Sequence, residues 1–181
     1  PLSLPPVSII GYGWLGATLG MHLQSLGYPV IGSTQRQETR QRLATNGLVA
    51  SCLHLSDSGE LSCDNEQLFM SPVLIITLPF KRSFQDPFCY LAQIQALCEH
   101  YCACNPGDKT VIFTSSTSIY SRINGPVDED TPISPETHRQ QALFKTEQYL
   151  HAHPAFKAII CRCAGLFGQS RRIASFASRS A

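Results

Sequence analysis

"IIGYGWLGATLG" (residues 9–20) sets four glycines into an otherwise apolar stretch, and its reading decides the fold. Just before the first glycine, "VSII" (7–10) is short, β-branched and bounded by Gly, as a buried strand is. After it, "WLGATLGMHLQSLG" (14–27) carries apolar residues at helical spacing and stops on Gly27. Gly11, Gly13 and Gly16 therefore form G-x-G-x-x-G at a strand-to-helix junction, the context in which that spacing seats a dinucleotide. Gly11 permits the tight turn, Gly13 lets a pyrophosphate approach the main chain, and Gly16 lets the helix lie close to the strand. The helix start, at Trp14 and Leu15, presents N–H groups and the positive end of the helix dipole to the phosphates.

Working outward, apolar runs and turn signals alternate. Strands are expected at 29–33, 48–55, 73–79, 110–116 and 157–163, and helices at 39–47, 88–103 and 135–153, the last with Pro at its first turn. Residues 56–67 read as a polar connection. A repeated strand–helix succession with nearly continuous apolar strands predicts an α/β fold. Its form is a doubly wound parallel (Rossmann) sheet with helices on both faces. One dinucleotide-binding domain is expected over 1–168, followed by a basic tail at 169–181. Ligands of such sheets lie at the carboxyl ends of the strands, which brings in Leu78 and Pro79 after "LIIT" and Ser115 in "FTSS".

The end of the second strand reports on the ribose. An acid there would bond both ribose hydroxyls of NAD, yet "GSTQRQ" (32–37) has none before Glu38. Ser33 and Thr34 are small donors, and Arg36 suits a 2′-phosphate through a forked, charge-assisted contact. NADP is therefore the expected cofactor, with NAD left open.

Bulk properties exclude several other classes. A chain of 181 residues, 43% hydrophobic and 15% charged with net charge +1, is an ordinary globular domain and gives no sign of a nucleic-acid partner. No run approaches the about 20 apolar residues that cross a bilayer, and "PLSLPPVSII" lacks the basic start of a signal peptide. The expectation is a cytoplasmic protein without a membrane partner; with no initiator Met, removal of a residue or more is left open. None of the eight cysteines makes a C-x-x-C pair. "CEHYCAC" (98–104), with His100 between its cysteines, departs from zinc-knuckle spacing, so reduced thiols and no metal site are expected. Cys161 and Cys163 are expected on opposite faces of the last strand.

Two further stretches carry a resemblance. "VIFTSSTSIYS" (111–121) resembles the strand and serine turn of extended short-chain dehydrogenases, usually "SS-x-x-x-Y-G". "CRCAGLFG" (161–168) resembles the "R-x-x-x-x-Y-G" of the same group. With "GYGWLG" and "LIITLPFKRS" (74–83), residues 7–170 are similar to an atypical NAD(P)-dependent epimerase/dehydratase-like subgroup. The resemblance implies an NAD(P)-dependent oxidoreductase or epimerase acting on a small molecule, a nucleotide sugar or related carbonyl or alcohol compound, with a homodimer left open. It also implies that Ser116 holds the reacting oxygen, or Thr117 if the turn is shifted by one, with Tyr120 lining the pocket or packed beneath the loop.

The departures from that family are as informative. Its Y-x-x-x-K pair is missing from "HRQQALFKTEQYL" (138–150): Lys145 is present and is the candidate catalytic lysine, but Gln141 stands four residues before it. If Glu147 marks the register instead, Arg139 and Leu143 take the two places. An amide is no general acid or base near neutral pH, so the site is atypical. The rival expectation is a non-catalytic module that senses NADP(H). The glycine loop is one residue shorter than the group's usual G-x-x-G-x-x-G. Residues 169–181, with Arg171, Arg172 and Arg179, are expected to be the remnant of a substrate-binding region. Lys81 and Arg82 are candidates for substrate phosphates, and Asp57 for the adenine amine.

Overall fold

The computed structural model describes residues 3–81, 83–120 and 125–168. Seven strands form its sheet: β1 (Val7–Ile10), β2 (Val30–Thr34), β3 (Val49–Leu55), β4 (Leu61–Cys63), β5 (Val73–Ile76), β6 (Thr110–Ser116) and β7 (Lys157–Cys163). Four helices connect them: α1 (Trp14–Ser25), α2 (Gln37–Thr45), α3 (Cys89–Cys104) and α4 (His138–Ala152). The strand order is β4-β3-β2-β1-β5-β6-β7. Every neighbouring pair is parallel except β3 with β4. This is the doubly wound α/β architecture that the alternation predicts.

The winding explains where a ligand can enter. From β1 the chain builds outward through β2 and β3, then returns past β1 to start β5 on its other side. Loops leaving the carboxyl ends of β1 and β5 therefore run to opposite faces of the sheet and leave a crevice between them. Two cores flank the sheet, as its two-sided burial demands. One packs Ile10, Ile76 and Phe113 against Tyr90, Ile94 and Leu97 of α3 and Leu143 and Leu150 of α4. The other packs Val7, Ile9, Val30 and Ile75 with Leu43 and Leu48.

Three expectations change. The polar connection holds β4 and a 3-10 turn at Glu66–Phe69, short elements whose few residues give no periodicity to read. Strand β5 ends at Ile76 rather than Pro79, so Leu78 and Pro79 belong to the loop that follows. Cys161 and Cys163 share one face of β7, because residues two apart on a strand point the same way; the Cys163 thiol reaches the Cys161 carbonyl at 3.5 Å. The tail at 169–181, Arg82 and the "SRIN" segment (121–124) lie outside the described residues.

Candidate cofactor cleft and active site

The glycine loop is pinned from both sides. Gly11 has φ +101°, a conformation open to glycine, and its N–H donates to the Ser33 hydroxyl at 2.9 Å. The Tyr12 N–H donates to the Ser33 carbonyl at 2.6 Å. Just after β5, the Thr77 hydroxyl donates to the Gly11 carbonyl at 2.7 Å. A methyl group at Gly16 would lie 2.2 Å from that same carbonyl oxygen, so α1 can approach the loop only without a side chain there. Gly13 differs from both. Its φ of −80° suits any residue, and a methyl group on it would meet nothing within 4 Å. The fold needs Gly11 and Gly16, whereas Gly13 keeps a space clear in front of the main chain.

That space sits at the start of α1. No side chain caps the helix, and its first turn carries no acidic residue. The first helical bond runs from Ala17 back to Gly13, so the Leu15 and Gly16 amides are left without intrahelical acceptors at the positive end of the dipole.

Two clefts open from this point and share Gly13, Leu78 and Pro79. The first, about 400 Å³, runs past the end of β2 and is lined by Tyr12, Ser33, Thr34, Arg36, Arg42 and Lys81 among others. Among the described residues, its charged lining side chains are all cations. Ser33 is nearly fully buried and ties down the loop, while Arg36 stands exposed just ahead of α2. Asp57 is exposed and outside this lining. The Tyr12 ring wedges between Gly20 and Gly32, where a methyl group at Gly32 would come within 2.2 Å of the ring. Its hydroxyl is buried with no hydrogen-bond partner among the described residues, and burial pushes the phenol well above its ordinary pKa.

The second cleft, about 740 Å³, runs toward the end of β6 and is lined by Trp14, Phe80, Ser115, Ser116, Arg139, Gln140 and Leu143 among others. One wall is a stack. The Arg139 guanidinium lies 3.9 Å from the Phe80 ring centre and donates to the carbonyls of Phe80 and Lys81. Phe80 in turn stacks on Tyr90 at 4.5 Å, and the Tyr90 hydroxyl donates to the Leu78 carbonyl at 2.9 Å. Burial raises the Tyr90 phenol far above its usual range, so it stays a neutral donor. Gln140 closes the capping box of α4 with Thr137, and its amide donates to the Ser118 and Tyr120 carbonyls at 3.2 and 3.3 Å.

Beneath the serine turn lies an ion pair with a buried carboxylate and a half-buried guanidinium. The Ser115 hydroxyl donates to Glu147 of α4 at 2.5 Å, and Arg162 of β7 grips the same carboxylate, its Nη2 at 2.9 Å from Oε2. Arg162 also donates to the Tyr120 hydroxyl at 2.8 Å, and that hydroxyl donates to the Asp128 carbonyl. The Glu147 carboxylate and these bonds hold the guanidinium pKa above its ordinary value. Tyr120 is thus packed beneath the loop, and the "R" of "CRCAGLFG" braces the serine turn.

The structure brings Gly13, Trp14, Leu15, Gly16, Leu78, Pro79, Ser115 and Ser116 together around one cleft, and Gly11, Ser33, Thr34 and Arg36 around the other. Ser116 accepts from the Ser118 N–H at 3.1 Å, which leaves its own proton to give. Thr117 is exposed in the turn that follows and lines neither cleft. Lys145 is not brought in: it is exposed, with its ammonium 5.0 Å over the Phe88 ring. The face of α4 that looks into the cleft carries Arg139, Gln140 and Leu143, the register counted from Glu147.

No protein-family model matches the chain. It is 36% identical over 173 residues to Protein YeeZ of Escherichia coli K12, covering 94% of this chain and 62% of that protein. The chain thus spans a little under two thirds of the length of that curated relative. Among solved structures it superposes on WbmG of Bordetella bronchiseptica in complex with NAD and UDP, with TM-score 0.69, 15% identity, and coverage of 92% of this chain and 55% of that one. It also superposes on yeast methylglyoxal/isovaleraldehyde reductase in complex with NADPH, with TM-score 0.62, 14% identity, and coverage of 90% and 58%. By its sheet order the chain has a doubly wound Rossmann fold, the fold of the NAD-bound WbmG and NADPH-bound reductase structures on which it superposes.

Proposed function

We propose that this chain binds a nicotinamide dinucleotide across the two clefts and forms the cofactor half of an oxidoreductase or epimerase with an atypical active site. The observation that carries this reading is the bare Gly13, which the fold does not require and which lies where the two clefts meet. The pyrophosphate fits over Gly13 and the amides of Leu15 and Gly16, and the adenosine fits the cleft beside β2. Arg36, with Arg42 and Lys81 nearby, supplies cations for a 2′-phosphate, which favours NADP over NAD. The nicotinamide end then lies along Trp14, Leu78 and Ser115, and when bound it supplies or accepts the hydride. Ser116 is the donor for a substrate oxygen. A nucleotide sugar or a related carbonyl or alcohol compound is the proposed substrate class, in keeping with the UDP that accompanies NAD in WbmG. Residues 1–168 are the proposed cofactor domain and 169–181 the start of a substrate-binding region.

One observation favours a second reading, a non-catalytic NADP(H)-binding module. Among the described residues lining the second cleft, the titratable side chains are Tyr90 and Arg139. Tyr90 is committed to the Leu78 carbonyl and Arg139 to those of Phe80 and Lys81. Neither exchanges a proton near neutral pH. Titration with NADPH and NADH tests the shared part of both readings, with saturable binding expected and the absence of binding overturning both. Hydride-transfer assays on a panel of UDP-sugars and small aldehydes separate them: turnover supports the enzyme, and binding without turnover supports the module.

A further inference from the structure

We propose that Glu66, His100 and Cys104 form a binding site for a zinc-class divalent cation, remote from the dinucleotide clefts. His100 and Cys104 lie four residues apart on α3, so their side chains rise from the same face one turn apart. Glu66 comes from the opposite wall, at the start of the 3-10 turn that follows β4. Their ligand atoms converge: all lie within 4.8 Å of one another. The Cys104 sulfur stands 3.5 Å from His100 Nε2 and 3.4 Å from Glu66 Oε2, and those two atoms are 2.8 Å apart. Tetrahedral ligands at zinc bond lengths of about 2.0–2.3 Å stand roughly 3.3–3.8 Å from one another. Two of the three separations already match, and the third opens by roughly half an ångström once a cation replaces the proton shared by His100 and Glu66.

The donor set selects the ion. A thiolate with an imidazole and a carboxylate suits zinc or cobalt, whereas magnesium and calcium take oxygen ligands. Three protein ligands leave a fourth position to water. The His100 ring is held edge-on against Phe69 with centroids 4.6 Å apart, so its Nε2 stays aimed at the carboxylate. An entry path exists, because the Glu66 side chain is 56% exposed and that of His100 is 32% exposed. None of the three residues lines either dinucleotide cleft. The cation would therefore tie the turn after β4 to the last turns of α3 without touching the cofactor, and the site stands whether or not the dinucleotide reading does.

Titration of the reduced full chain with Co²⁺ tests this. The expected result is one equivalent bound, with a thiolate-to-cobalt charge-transfer band and tetrahedral visible absorption. Cys104→Ser should abolish the charge-transfer band, and Cys89→Ser, at the far end of α3, should leave it intact. In competition with a chromophoric chelator, His100→Gln and Glu66→Gln should each weaken Zn²⁺ binding at least about tenfold. The more exposed Glu66 variant carries the test if another variant fails the circular dichroism check of folding. Absence of the charge-transfer band in the wild type, its persistence in Cys104→Ser, or unchanged Zn²⁺ affinity in Glu66→Gln would each overturn the proposal.

Discussion

The two clefts on either side of Gly13 are built on different principles. Beside β2 the lining is cationic and mostly open, with Arg36 exposed and Arg42 and Lys81 around it. Beside β6 the lining is hydroxyls, aromatics and aliphatics, and Arg139, its charged side chain among the described residues, is spent inward on the loop after β5. Behind that lining, Glu147 with Arg162 holds the serine turn. Exposed charge recruits a ligand and costs the fold little, whereas buried charge holds geometry and makes the fold depend on it. The first cleft should therefore tolerate change with consequences for binding, and the second should respond with loss of stability.

The strongest way to break this contrast is at Arg162. Arg162→Met leaves the Glu147 carboxylate, whose side chain is 6% exposed, without its partner, and should cost about 3–5 kcal/mol in urea unfolding. Adding Glu147→Leu should recover most of that loss, and a single variant that unfolds at the wild-type midpoint would erase the distinction. Next comes Gly13→Glu, which places a carboxylate in the cleared space. The thermal midpoint should stay put, since nothing lies within 4 Å of a methyl group there. NADPH affinity should fall at least about 100-fold, roughly 2.7 kcal/mol. Arg36→Ala sharpens the first cleft: NADPH should bind about tenfold more weakly, roughly 1.4 kcal/mol, and NADH within about twofold of wild type. Equal losses for the two cofactors would remove Arg36 from the ribose site. The smallest effect is expected at Tyr12, where Phe removes a buried hydroxyl that has no partner. Tyr12→Phe should raise stability by about 1 kcal/mol in the same urea assay and leave NADPH binding unchanged.

How far the molecule was legible beforehand follows the same contrast. The glycine loop and the parallel strands announce themselves, because strands buried on both faces read as continuous apolar runs and a strand-to-helix glycine turn has few alternatives. Strand β4 and the turn at Glu66–Phe69 do not, since a three-residue edge strand has too few residues to show alternation. The phase of α4 was harder still. Its buried face holds Ala142, Leu143, Thr146, Glu147 and Leu150, so a glutamate sits where an apolar residue would mark the core. Read alone, Glu147 is a surface charge and Lys145 a candidate catalyst. The partner that brings Glu147 inside is Arg162, fifteen residues away on β7. Tyr12 carried no signal of its role, because a lone Tyr in a glycine loop gives no hint that Gly20 and Gly32 make room for its ring. A small residue at both positions was the only trace.

Gln140 has one more consequence. Its side chain accepts from the Glu136 and Thr137 amides and gives its own protons to Ser118 and Tyr120, so the rim of the second cleft is stitched to the first turn of α4. A molecule entering there meets walls whose freedom was surrendered when the chain folded. Its grip is then set by how well it fits and by the motion it gives up itself, and small rigid compounds should gain most.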